Sequence, residues 1–162
     1  MNIKNQLNES MKDAMKSGDE IRKRTVRMAL AALKQAEVDK RSNPVDKRSN
    51  PADKQVELDD AAVITLLQKE VKNRRESLEE AKKANRADLV EANEAEIKVL
   101  EAFLPSSMPE DELKAIVQAA ITETGAASQS DMGKVMKLVM AKVAGRAPND
   151  KISAAVRELL QK

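Results

Sequence analysis

The chain has no cysteine, no histidine, no tryptophan and no tyrosine, Phe103 is its only aromatic residue, and four of its 162 residues are glycine. Each absence removes a class of function. Without thiol or imidazole there is no ordinary zinc or transition-metal site, because those ions draw their softer ligands from Cys and His. There is also no Ser–His or Cys–His pair in which a base activates a nucleophile. Lack of an aromatic platform disfavours reading single-stranded RNA base by base. No apolar run approaches the roughly 18 residues that would suggest a membrane span. The opening residues, Met1 to Gln6, contain no apolar signal-peptide core. Absence of cysteine fits a reducing compartment, and the expected location is the cytoplasm.

What is present points to helices. Alanine, leucine, lysine and glutamate dominate, all of them good helix formers, so the expected fold class is all-α. Formal net charge is only +2, from 29 basic and 27 acidic residues, so bulk charge selects no partner. Its distribution is uneven: residues 1–34 hold eight basic and four acidic side chains, residues 57–101 eight and twelve, and residues 129–162 seven and three. Both ends are basic and the middle is acidic.

Apolar spacing gives seven helices. The first covers 3–16, with Ile3, Leu7, Met11, Ala14 and Met15 on one face, and ends at Ser17-Gly18-Asp19, where Asp19 is placed to cap the next. The second runs from about 20 to 40, its apolar side formed by Ile21, Thr25, Met28, Ala29, Ala32, Leu33 and Ala36. Residues 39–52 are a direct duplication, Asp-Lys-Arg-Ser-Asn-Pro-Val followed by Asp-Lys-Arg-Ser-Asn-Pro-Ala, and the two prolines predict a polar loop over 39–57. A third, long helix to about residue 84 carries a narrow seam of Val63, Leu67, Val71, Leu78 and Ala81. Asn85 breaks it, and a fourth covers 87–103 with Leu89, Ile97, Leu100 and Leu104 along one side. Narrow seams on long helices predict antiparallel packing in a bundle.

Pro105 and Pro109 mark a domain boundary, dividing an N-terminal helical domain, 1–104, from a three-helix domain, 105–162. Ser107 and Glu110 have capping-box spacing. The fifth helix shows Leu113, Ile116, Val117, Ala120 and Ile121 and stops at Gly125; the seventh shows Ile152, Ala155, Val156, Leu159 and Leu160.

The sixth helix is the most informative. Met132, Val135, Met136, Val139, Met140 and Val143 fall on one face, entered at Asp131 and left at Gly145-Arg146. Lys134, Lys137 and Lys142 fall roughly opposite, together with Leu138, which has no core reason to be there. Such a ridge of mobile cations suits phosphate contacts along a folded RNA, and it equally suits a solvated helix face. Gly133-Lys134 is not a phosphate-binding loop: Ser128 stands where the loop's first glycine belongs, and Val135 where Ser or Thr holds magnesium. The carboxylate pairs Asp59-Asp60, Glu79-Glu80 and Asp111-Glu112 lie on helix surfaces or starts, with no cleft to shift a pKa. No catalytic residues, metal ligands or cofactor are assigned.

Several segments together resemble the YqeY family: Arg27-Met28-Ala29-Leu30-Ala31-Ala32-Leu33-Lys34, Lys69-Glu70-Val71-Lys72-Asn73-Arg74-Arg75-Glu76-Ser77, Glu101-Ala102-Phe103-Leu104-Pro105, Glu123-Thr124-Gly125-Ala126, and the run from Gly133-Lys134-Val135-Met136 to Gly145-Arg146-Ala147. Residues 105–162 also resemble the C-terminal tail of the amidotransferase subunit GatB. The resemblance implies an N-terminal helical bundle followed by a small three-helix tail. It brings a family label, carbon–nitrogen ligase activity with glutamine as amido-N-donor. The kinase and amidase parts of that machine lie outside the tail and have no counterpart in this chain. Carried over by position, Gly133, Lys134, Lys137, Lys142, Gly145 and Arg146 are the expected tRNA-binding residues. The function implied is that of a non-catalytic tRNA-binding accessory protein, with tRNA and an amidotransferase or another protein as expected partners and no membrane. The alternative is a helical adaptor that binds another protein through Leu138 and the helix-six ridge, or through the long third helix, with no RNA role.

Overall fold

A computed structural model of the protein describes residues 2–42 and 56–161. Among them are seven α-helices and one 3-10 turn, with no strand, so the fold is all-α. The chain divides into two compact units, Met1–Leu104 and Pro105–Lys162.

The first unit contains α1 (Ile3–Ser17), α2 (Glu20–Ser42), α3 (Asp60–Lys83) and α4 (Ala87–Glu101). Local chemistry sets the ends. Asn2 caps α1 by accepting the Asn5 N–H at 2.9 Å, and Asp60 adds a long-range cap by accepting the Ile3 N–H at 3.0 Å. Gly18, at φ 72, turns the chain out of α1, and Asp19 accepts the Arg22 N–H at 3.0 Å at the start of α2. Asp59 caps α3 through the Ala62 N–H at 2.8 Å. Asn85, at φ 54, ends the turn after α3. Most of the packing lies between α3 and α4 and between α1 and α2, with α2 also resting on α4. Leu7, Val26, Leu33, Val63, Leu67 and Leu100 are fully enclosed.

Helix α2 keeps part of its expected face, with Thr25, Ala29 and Leu33 buried, but Ile21 and Met28 are 42% and 49% exposed and Val26 is buried instead. Because α2 packs against α1, α3 and α4, its buried arc is set by three neighbours rather than one seam. Thr25 tolerates burial because its hydroxyl donates to the Ile21 carbonyl at 2.8 Å. Met15 and Leu89, expected inward, are likewise exposed. The polar loop does not begin at residue 39: α2 continues through Ser42, two residues short of the first proline, and Gln35 donates to Asp39 at 2.8 Å one turn on. The remainder of the duplication, 43–52, lies outside the described residues.

Arg74, in a charged stretch of α3, is 7% exposed. Its guanidinium donates to Glu96 at 2.9 Å, to the Glu70 carboxylate at 2.7 Å and to the Glu70 carbonyl at 3.2 Å. Arg24 holds the other oxygen of Glu96, so one network joins α2, α3 and α4.

The second unit contains α5 (Glu110–Thr124), a 3-10 turn (Gln129–Asp131), α6 (Met132–Val143) and α7 (Asn149–Leu160). Each of the three α-helices packs on the other two. Val117, Val135, Val139, Val143, Ile152 and Val156 form the centre of a core without aromatics. The Ser107–Glu110 capping box does not form: α5 starts after Pro109 with no side-chain cap, and the Met108 N–H instead donates to the Arg146 carbonyl at 2.8 Å. Gly125 stops α5 at φ 65.

Candidate nucleic-acid interface

Helix α6 carries every basic residue expected at the site or leads directly to it. Val135, Val139 and Val143 are buried, Met132 and Met136 are half-buried, and together they fix the helix against α5 and α7. At about 100° per residue the opposite side is then necessarily outward. Asp131 precedes α6 without capping it by a side chain; its carboxylate accepts the Ala127 N–H at 3.2 Å and braces the preceding turn. The helix ends through two left-handed residues, Ala144 at φ 50 and Gly145 at φ 78.

The six expected residues separate into two groups. Lys134 and Lys137 are exposed, one turn apart, and make no ion pair among the described residues. Gly133 lies next to them and is also exposed; a Cβ there would meet nothing within 4 Å, so packing does not require the glycine. Lys142 and Arg146 are occupied. The Lys142 ammonium is 2.6 Å from Glu123, and the Arg146 guanidinium forks onto Glu112 at 2.8 and 3.3 Å. Both carboxylates belong to α5, so these pairs tie the C-terminal end of α6 across its neighbour. Gly145 serves the backbone: its φ lies where L side chains rarely go.

Leu138 corrects a further expectation. It is half-buried and packs on the core of the second unit, so it has a structural reason for its place. Met140, expected in the core, is 43% exposed instead. The outward surface of α6 thus consists of Gly133, Lys134, Lys137, Met140, Ala141 and Lys142, with Ala144 just beyond its end. Small side chains around two long cations leave the helix backbone within reach of a bulky polyanion, and two lysines at i and i+3 act on one stretch of it.

Sequence spacing alone did not reveal the α5 carboxylates that hold Lys142 and Arg146, because those contacts span 19 and 34 residues. The acidic start of α5 was the available signal for Glu112, whereas Glu123 lies at the other end of that helix. A similar bracket surrounds Lys114, whose ammonium is held above its ordinary pKa by hydrogen bonding to Glu110 and by the charge of Glu158. No group of three or more His, Cys, Asp or Glu side chains suited to a metal ion occurs among the described residues.

Comparison with known proteins places the chain in a family. A family described as Yqey-like protein matches residues 4–160. The altered inheritance of mitochondria protein 41 of Lachancea thermotolerans is 32% identical over 148 residues, which is 89% of this chain and 70% of that protein. The protein of the same name from Pyrenophora tritici-repentis is 32% identical over 105 residues, 62% of this chain and 57% of the relative. That from Kluyveromyces lactis is 31% identical over 115 residues, 69% and 55% respectively. In the latter two the match spans little more than half of the relative's length. All three are named as mitochondrial proteins, and this overturns the cytoplasmic placement expected from the sequence. The physical reason is that a missing apolar leader bears only on secretion, whereas organelle-targeting segments are amphipathic and have no such core. With the family matching almost end to end and a relative at 32% identity across most of both chains, the protein belongs to the YqeY-like family.

Proposed function

We propose that the protein binds tRNA without catalysing a reaction on it, as an accessory related to the glutamine-dependent tRNA amidotransferases. The carrying observation is the outward face of α6, where Lys134 and Lys137 stand unpaired among the described residues beside Gly133, Ala141 and Ala144. The reading also rests on the resemblance of residues 105–162 to the GatB tail, a tail that helps bind tRNA. Lys142 and Arg146 form a reserve: exposed ion pairs are worth only about 0–1 kcal/mol, so a phosphate can displace Glu123 and Glu112 at little cost. The chain's one aromatic residue, Phe103, lies outside α6, so the contact is to shape and backbone rather than to stacked bases.

The test is tRNA binding by Lys134→Glu/Lys137→Glu. Both side chains are exposed, so helicity and melting temperature stay as in the parent while affinity falls at least about tenfold, the loss expected when two phosphate contacts become repulsions. Unchanged affinity in the folded variant rejects this surface. The purified chain releases no ammonia from glutamine on this reading, and glutamine-dependent release would reject its non-catalytic part. A protein-adaptor role draws on Met140, exposed on the same face; it predicts a stoichiometric protein complex that survives high salt.

A further inference from the structure

Helix α2 buries Thr25, Val26, Ala29 and Leu33 and leaves the opposite arc uncovered. Along that arc, Ile21, Arg24, Met28, Ala31, Gln35 and Val38 follow the alternating spacing of three and four residues that marks a helix-pairing seam. All six are exposed, and the three large apolar side chains, Ile21, Met28 and Val38, are 42%, 49% and 42% exposed. At 1.5 Å per residue the seam runs about 25 Å, or five turns. Its polar members are engaged within the protein, Arg24 with Glu96 and Gln35 with Asp39. Met28 is held from beneath, its sulfur 4.0 Å from the enclosed Arg74 guanidinium. Single exposed apolar side chains are ordinary on a protein surface; a register of them along five turns is the pattern of a helix that pairs with another.

Charge then selects the partner. Arg27 and Lys34 lie beside the seam, each one residue before a seam position and two helical turns apart. Both are exposed and make no ion pair among the described residues. The carboxylates that α2 could offer them are taken: Glu20 by Lys23, Glu37 by Lys4 and Asp39 by Gln35. In paired helices the positions flanking the seam meet the partner's flanking positions and choose it by charge. An apolar seam flanked by two unpaired cations therefore fits an acidic helix. A nucleic-acid backbone would meet the cations but leave Ile21, Met28 and Val38 in water. A second copy in antiparallel register would set Arg27 and Lys34 against the same two cations.

We propose that the exposed face of α2 docks an acidic amphipathic helix of a partner protein, with Ile21, Met28, Ala31 and Val38 as the apolar contact and Arg27 and Lys34 selecting its charge. This surface belongs to the first unit, so it goes beyond the tRNA reading of α6 and does not depend on it.

The experiment is an NMR titration of the full chain with a synthetic helical peptide of three heptads, leucine at its seam positions and glutamate at its flanks, at concentrations where the peptide is monomeric. A second peptide carries lysine at the flanks. Saturable shifts at Ile21, Met28, Ala31 and Val38 are expected with the glutamate peptide, and binding at least about tenfold weaker with the lysine peptide, as two flanking attractions become repulsions. Ala31→Glu, at an exposed position, abolishes the shifts while the melting temperature stays as in the parent. Arg27→Glu/Lys34→Glu reverses the preference between the two peptides, which a purely structural role for these cations would not do. Equal binding of the two peptides, parental binding by the folded Ala31→Glu variant, or no saturable shift on α2 overturns the proposal. Self-association of the chain that Ala31→Glu abolishes would give the seam to a second copy, and loss of tRNA affinity in Arg27→Glu/Lys34→Glu would give the face to RNA; either result also overturns it.

Discussion

Ala144 occupies a left-handed backbone conformation at φ 50, where an L side chain crowds the following carbonyl at a cost of about 1–2 kcal/mol. Gly125 occupies a similar region at φ 65 without that penalty. The two positions therefore respond in opposite directions. Ala144→Gly is expected to raise stability by about 0.5–1 kcal/mol, after allowing for the freer unfolded chain, and Gly125→Ala to lower it by about 1 kcal/mol. Urea melts of the two variants check this, and a destabilised Ala144→Gly would contradict the turn. Glu37 makes a pH prediction at the same scale. Its carboxylate accepts from Lys4 at 2.7 Å and from the Leu58 N–H at 3.4 Å, linking α1, α2 and the approach to α3. The Lys4 hydrogen bond holds its pKa below the ordinary 4.5, against an opposing effect of burial. A carboxyl depressed on folding adds stability above its unfolded pKa, and that stability is lost as pH falls through the folded value. Glu37→Gln should flatten the loss of melting temperature on acidification below about pH 4.5. Parallel curves for parent and variant would remove Glu37 from the account.

At the scale of the helix, adjacent arginines in α3 have different fates. Arg74 is enclosed among Glu70, Glu96 and Met28, whereas Arg75 reaches Glu101 from a side chain that is 59% exposed. Removing one partner of a buried pair leaves an uncompensated charge, so Arg74→Ala should cost about 3 kcal/mol. Arg75→Ala should cost under about 1 kcal/mol. Equal effects in denaturant melts would mean that the Glu96 network does not hold α2, α3 and α4 together. This contrast was not legible in Arg74-Arg75 as a dipeptide, because burial was decided by Glu96, 22 residues away. The elements themselves were legible where one seam meets one neighbour. Val63, Leu67, Val71, Leu78 and Ala81 of α3 are buried as spaced, as are Ile152, Ala155 and Val156 of α7. Gly18 and Gly125 end their helices as glycines should. Reading failed where several neighbours compete for a helix, as at Met28 in α2, and where a tertiary contact replaced a local cap, as at Met108 before α5.

For the whole molecule, charge is nearly balanced, and residues 105–162 alone hold eight basic and seven acidic side chains. Long-range attraction to a polyanion is therefore weak, and binding depends on which cations are available rather than on how many there are. The basic helix face of Lys134, Lys137 and Lys142 was legible in the sequence, while the six-residue set rested on the resemblance; that Lys142 and Arg146 are tied to α5 was not legible, because Glu123 and Glu112 come from another helix. This division fixes a quantity. If only Lys134 and Lys137 neutralise phosphates, the slope of log affinity against log salt is about −2, and if Lys142 and Arg146 also leave their carboxylates it approaches about −3.5. The most direct test of the account is the salt dependence of tRNA binding by the intact protein between about 50 and 200 mM salt. A slope between about −2 and −3.5, reduced by about 2 in Lys134→Glu/Lys137→Glu, is the predicted result. No binding at the lowest salt, or an affinity that does not change with salt, would contradict the claim that α6 is a phosphate-binding surface.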